Sequence, residues 1–290
     1  MKINLIQVPY HLGKRATGMG LGPIRFMETK IVEKLRNHGH QLKVVTIQLD
    51  KPFEDKISSI IDLNNLLKKN VQEGVKNGYF PLILGGNCNT CLGTLAGLND
   101  PEMGIIWFDA HGDFNTPETT PSGFLDGMPF AIATGQCYTK EWSQIADIPP
   151  IKESHSLHIG GCDFDPEELD LIKSTEVGLV TTKEIKETGL ERSIIPALVE
   201  LHSHTEKIYL HIDMDVINPQ EAPGVDFPSP DGLSSEIIEQ IIRIISERFL
   251  VKAVALTAYN PTKDEHNKTL ITGIRLLKRI LEVIDQTQNF

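Results

Sequence analysis

Basic residues are the scarce class in this chain: 28 Lys and Arg stand against 39 Asp and Glu in 290 residues, a formal net charge of −11. A deficit of that sign removes the electrostatic footing for nucleic acid and for an anionic membrane face. Cysteine is scarcer still. Its four residues, Cys88, Cys91, Cys137 and Cys162, follow no disulfide-scaffold spacing, so reduced thiols in a cytoplasmic protein are the expectation. No apolar run approaches the length that spans a bilayer. The opening Met1-Lys2-Ile3-Asn4-Leu5-Ile6-Gln7 has neither the apolar core nor the flanks of a signal peptide. Internal repeats, low-complexity tracts and linker-like stretches are missing as well. Residues 1–290 therefore read as one domain, and 40% hydrophobic residues suffice for one large core.

What is present is alternation. Short apolar runs rich in β-formers are predicted as strands at 3–8, 41–47, 80–84, 104–108, 157–160, 178–180, 208–212 and 253–256. Amphipathic helices are predicted between them, at 23–37, 57–77, 193–202, 236–249 and 270–285. In the second of these, Ile60, Ile61, Leu63, Leu66, Leu67 and Val71 fall mostly on one face. Strand–helix alternation of this kind implies an α/β fold, a three-layer, doubly wound, mostly parallel sheet of about eight strands. The least regular stretch, 114–151, is rich in Thr, Pro and Gly. Long loops after strand ends are where such folds place their chemistry.

The chemistry concentrates in two segments. Trp107-Phe108-Asp109-Ala110-His111-Gly112-Asp113 runs an apolar strand into Asp-x-His-x-Asp, and Tyr209-Leu210-His211-Ile212-Asp213-Met214-Asp215 ends in Asp-x-Asp. Strand side chains alternate with period two, so Asp109, His111 and Asp113 are predicted to converge near one strand end, with Asp213 and Asp215 facing them. Four carboxylates and an imidazole so close together repel one another unless cations are bound. A carboxylate-rich set with one nitrogen donor suits Mn²⁺ or a similar divalent ion, and bridging carboxylates suit a pair. A lone Asp-rich strand end is more often a solvated turn or a helix cap; two such segments together point to metal. The remaining histidines carry less. His202, His204 and His211 read as solvated or packed, and His155, His158 and His266 have no companions at ligand spacing.

These motifs resemble the arginase–agmatinase–formimidoylglutamase (ureohydrolase) family along nearly the whole chain. Gly20-Leu21-Gly22-Pro23-Ile24-Arg25 resembles the family's glycine–proline start of its first helix. Residues 109–113 resemble its Asp-Ala-His-x-Asp motif, 211–219 its Asp-x-Asp motif, and Pro228-Ser229-Pro230-Asp231-Gly232-Leu233 the Gly-Leu segment that follows. The resemblance implies an arginase-like three-layer fold with two divalent metal ions, Mn²⁺ in the family, bridged by hydroxide. It also implies hydrolysis of a guanidino or amidino C–N bond in a small-molecule, amino-acid-like substrate, and assembly as trimers or hexamers. Carried onto this chain, Asp109 and Asp213 would bridge the ions, Asp113 would bind one ion, and His111 and Asp215 the other. Asp113 would also take the nucleophile's proton on its way to the leaving nitrogen. Asn115 and Ser122 resemble the residues that bind the substrate carboxylate, and Asp165 the one that binds its ammonium; loop architecture and helix capping are the alternative for all three.

Three departures touch the machinery. The family's Gly-Gly-Asp-His is here Gly85-Gly86-Asn87-Cys88, so Cys88 takes a histidine's metal-ligand place, and a thiolate there would shift preference toward Zn²⁺ or Fe²⁺. An ordinary buried thiol is the alternative. This cysteine and the wording of 109–120 resemble a small branch containing the Nω-hydroxy-L-arginine hydrolase of the D-cycloserine pathway. The family's catalytic-loop histidine is replaced by Asp126, and the glutamate expected to pair with the guanidinium by Ala258. Two readings follow. In one, Asp126 supplies the missing negative charge from the opposite wall; in the other, the substrate is not a plain guanidine, or the protein is a non-catalytic binding or regulatory relative.

Overall fold

The computed structural model describes residues 1–49 and 56–288. Besides a short antiparallel pair at Tyr10–His11 and Lys14–Arg15, its strands are β1 (Lys2–Val8), β2 (Gln41–Thr46), β3 (Phe80–Gly85), β4 (Gly104–Phe108), β5 (Ser156–Ile159), β6 (Gly178–Val180), β7 (Lys207–Asp213) and β8 (Leu250–Thr257). They form one sheet in the order β2-β1-β3-β8-β7-β4-β5-β6, every neighbouring pair parallel. Parallel strands need covering on both faces, and the inner ones accordingly read as unbroken apolar runs. Every residue of β3 and of β4 is buried.

Helices supply the two outer layers. They are α1 (Gly22–Glu28), α2 (Ile31–Asn37), α3 (Lys56–Lys76), α4 (Thr90–Leu98), α5 (Pro129–Ala133), α6 (Thr139–Ile145), α7 (Pro166–Ser174), α8 (Thr182–Thr188), α9 (Leu190–His204), α10 (Ser235–Arg248) and α11 (Lys268–Gln288). One core packs α1, α2 and α8–α11 against strand residues such as Leu5, Leu82, Ile106 and Leu210. The other packs α3–α7 against alternate residues of the same strands, such as Ile6, Ile83, Trp107 and Tyr209. Period-two alternation thus divides each strand between two cores. The eight predicted strands and the three-layer arrangement are all present.

Helix boundaries differ more. The predicted helix at 23–37 is two helices, because Lys30 adopts φ 60, a left-handed turn that ends one helical run before the next begins. The irregular stretch at 114–151 holds α5 and α6, each of seven residues or fewer and too short for periodicity to reveal. No helix among the described residues is long and apolar enough to cross a membrane.

Burial predicts where substitutions hurt. Leu210 is fully buried at the centre of the sheet, whereas Val44 on edge strand β2 is 40% exposed. Leu210→Ala should lower unfolding free energy by ~2–5 kcal/mol, and Val44→Ala by no more than ~0.5 kcal/mol. Urea unfolding of both variants checks this; equal losses would contradict the layer assignment.

Candidate metal centre

The C-terminal ends of β3, β8, β7 and β4 lie side by side, where open α/β sheets bind their ligands. Phe108 pairs with Ile212 and Asp213 with Thr257, so Asp109 and Asp213 emerge together at one edge. Strand alternation does not carry the other candidates there, contrary to the expectation from sequence. After Asp109 the chain leaves the strand, and Asp113 sits at φ 49; Asp215 lies in a short 3-10 turn, Met214–Val216.

Backbone anchors turn these loops inward. The Ala110 carbonyl accepts from the Cys162 and Asp163 amides at 2.8 and 2.9 Å, and the Asp113 carbonyl from Phe130 and Ala131 at 3.0 and 3.2 Å. His158 Nε2 meets the His111 carbonyl at 2.6 Å. Glu168 accepts the Phe114 amide at 2.9 Å, and it approaches Gly112 so closely that a Cβ there would lie 2.5 Å from its carboxyl carbon. With their carbonyls held from outside, these residues point their side chains at one spot. Gly86 does similar work for the Cys88 loop: a Cβ there would sit 2.2 Å from the Tyr10 carbonyl oxygen.

Two donor sets result. Cys88, Asp109 and Asp113 form one and Asp109, His111 and Asp215 the other, each with donor atoms within 4.8 Å of one another, and they share Asp109. Asp213 adjoins both: it accepts from Cys88 Sγ at 2.8 Å and from the Asp215 amide at 2.8 Å. Asp109 accepts from Trp107 Nε1 at 3.1 Å and the His111 amide at 2.8 Å; His111 Nδ1 faces Asp215 at 3.1 Å. Asp113 Oδ2 is buried with no hydrogen-bond partner among the described residues.

The electrostatics are those of an acidic site short of cations. Burial, then Asp215, raises the Asp109 carboxyl; burial, then Asp109, lifts Asp113 well above the carboxylate range; burial, then Asp215, does the same to Asp213. Burial alone would depress His111, but Asp215 and Asp109 outweigh it and raise it. Burial pushes the Cys88 thiol up, and Asp213 adds to that. Divalent cations reverse this logic, favouring deprotonated oxygen and sulfur donors. The unpartnered Asp113 oxygen and the shared Asp109 therefore fit a pair of such ions.

The cavity over this cluster measures about 320 Å³ and takes in His111, Asp113, Asp126, Asp213 and Asp215, together with Asn115, Ser122 and Asp165. All three substrate-binding candidates thus reach it, though each also has structural work. Asn115 Nδ2 donates to Asp165 Oδ2 at 2.9 Å, Asp165 forms a capping box with Glu168 at the start of α7, and the Ser122 hydroxyl accepts the Phe124 amide at 3.2 Å. Asp126 accepts from Asn87 Nδ2 and from both the amide and side chain of Asn89, each of the latter at 3.1 Å. Burial pushes its carboxyl up to about 6. Ala258, at φ 62, lines the cavity with a side chain that carries no polar atom.

Several contributors escaped the sequence reading. Glu168, which burial pushes up to about 7, was detectable as the glutamate three residues after Asp165 in a capping box. Asp226, with Phe124 and Phe227 at the mouth, lies in segments without a motif. His211 is fully buried and stacks on Trp107 with ring centroids 3.6 Å apart; burial pushes it down to about 3.

Known proteins resemble this chain along nearly its whole length. The model of the Arginase family matches residues 1–282. An arginase of Bacillus subtilis is 30% identical over 288 residues, spanning 96% of this chain and 97% of its own. An arginase of Bacillus caldovelox is 29% identical over 287 residues, spanning 95% and 96%. The crystal structure of the Bacillus subtilis arginase matches with a TM-score of 0.87 at 29% identity, covering 97% of this chain and 98% of that one. The chain belongs to the arginase family.

Proposed function

We propose that this protein is a metal-dependent hydrolase that cleaves a guanidino or amidino C–N bond of an amino-acid-like substrate, with an N-substituted arginine such as Nω-hydroxyarginine preferred over arginine. The observation that carries it is the pair of donor sets sharing Asp109 beneath an acidic cavity. In this reading Asp109 and Asp213 would hold both ions, Cys88 and Asp113 would complete one site, and His111 and Asp215 the other. Mn²⁺ is the expected metal, with Zn²⁺ or Fe²⁺ favoured in proportion to what Cys88 contributes. Bound divalent ions supply a lowered pKa for water, so that a nucleophile exists near neutral pH.

The remaining chemistry belongs to the chain. Asp113, buried in the cluster with one carboxylate oxygen free of protein partners, would take a proton from the nucleophile and pass it to the departing nitrogen. Asn115 and Ser122 offer donors to the substrate carboxylate, and Asp165 a negative partner for its ammonium. No lysine or arginine lines the cavity among the described residues, whereas eight Asp and Glu side chains do, so its lining favours a cation. Ala258 leaves the guanidinium without its usual glutamate. Asp126 answers from the opposite wall, keeping a lone pair on Oδ2 after its bond to Asn87. An N-hydroxyl withdraws electrons from a guanidine and lowers its basicity, so such a substrate needs less counter-charge than arginine does.

Metal-replete protein assayed for urea or hydroxyurea release on arginine, agmatine and Nω-hydroxyarginine tests the reading. Release is expected from Nω-hydroxyarginine with the highest kcat/KM; no release from any of the three would favour the non-catalytic reading that the loss at Ala258 invites. Ala258→Glu combined with Asp126→His should raise kcat/KM on arginine about 10–100-fold, the worth of one charge-assisted hydrogen bond in the transition state. No gain in a folded, metal-loaded variant would count against site divergence as the cause of substrate preference.

A further inference from the structure

Behind Cys88 runs a polar chain that the proposed reaction does not use. Tyr209 and His211 stand two apart on β7, so both point to the same face of the sheet. The Tyr209 hydroxyl lies 2.8 Å from His211 Nδ1, His211 Nε2 lies 3.2 Å from Thr257 Oγ1, and Thr257 Oγ1 lies 3.1 Å from Cys88 Sγ. All four residues are buried, and Thr257 pairs with Asp213 in the β7–β8 register. Trp107 stacks on the imidazole at an interplanar angle of 10° and fixes the plane of the ring.

One assignment of the hydrogens runs the chain toward sulfur. A neutral imidazole has one N–H and one bare nitrogen. Tyr209 also meets the Thr94 hydroxyl, whose hydrogen goes to the Thr90 carbonyl; the relay is the assignment in which Tyr209 gives its hydrogen to Nδ1 and the ring hydrogen, on Nε2, points at Thr257. Thr257, accepting from His211, has one hydrogen left. The Ile212 carbonyl stands at 3.3 Å, long for an O–H···O bond, while Cys88 Sγ at 3.1 Å is close for a contact to sulfur. The sulfur is the better taker.

We propose that Tyr209, His211 and Thr257 are positioning residues, a one-way hydrogen-bond relay that fixes the direction in which Cys88 presents its sulfur to Asp109, Asp113 and Asp213. The relay rests on the reading of Cys88 as a metal donor. It also gives a reason for a polar histidine and a tyrosine hydroxyl deep in an otherwise apolar layer, where unpaired polar groups are costly.

Cobalt(II) is the probe, because a bound thiolate gives it a near-ultraviolet charge-transfer band that is read apart from activity. The native protein should show the band and Cys88→Ser should lack it. Thr257→Val and His211→Phe should each weaken cobalt binding ~10–100-fold and shift the band, and Thr257→Ser should restore both. Because the members act in series, the variant combining Thr257→Val with His211→Phe should bind no more weakly than Thr257→Val alone. An unchanged band and affinity in Thr257→Val, or additive losses in the double variant, would overturn the relay while leaving Cys88 a ligand. Native protein that binds cobalt without the band would instead remove Cys88 from the metal site, and the relay with it. Should Thr257→Val fail to fold, His211→Phe carries the test: an unchanged band and affinity in it would overturn the relay.

Discussion

Negative charge confined out of water governs this structure. Asp109, Asp113 and Asp213 are buried in one cluster, and desolvating each carboxylate costs several kcal/mol before their mutual repulsion is counted. With only protein groups present, the cluster relieves itself through protons: Cys88 gives its S–H to Asp213, and His111 leans on Asp109 and Asp215. Those contacts satisfy some oxygens and leave Asp113 Oδ2 with none. An arrangement of this kind is a candidate receptor for cations, and the strand order, the loop anchors and the acidic cavity bring it together.

The scaffold is rigid where the cluster needs it. Parallel strands buried on both faces hold Asp109 and Asp213 in adjacent register, and the loops beyond them are tied back by amides from α5, by His158 and by Glu168. The mouth is different in kind. Phe124 and Phe227 meet edge to face there, with Phe227 more than half exposed, so the mouth is lined by loop side chains while the base rests on strand ends and the anchored turns that follow them.

Much of this was legible in the sequence, for physical reasons. Two-sided burial writes a parallel sheet as apolar runs, which is why all eight strands could be read from residues such as Ile105-Ile106-Trp107-Phe108. The Asp-rich strand ends were legible because no apolar core accommodates so many carboxylates without a purpose. The split at Lys30 was not, since a left-handed residue other than glycine leaves no mark in periodicity. Nor was the route by which Asp113 and Asp215 reach the cluster, because turns rather than strand alternation deliver them. His211 was undervalued for a related reason: its importance lies in contacts to Tyr209, Trp107 and Thr257, two of them from other strands, and spacing along one strand does not encode those.

Metal stoichiometry of the native chain is the most direct test. Elemental analysis after loading with Mn²⁺ and removal of free ion should give about two ions per chain, and the Asp109→Ala protein, lacking the residue both sites share, should retain fewer than one. Native protein that folds normally yet holds no divalent ion after loading would contradict the account at its centre.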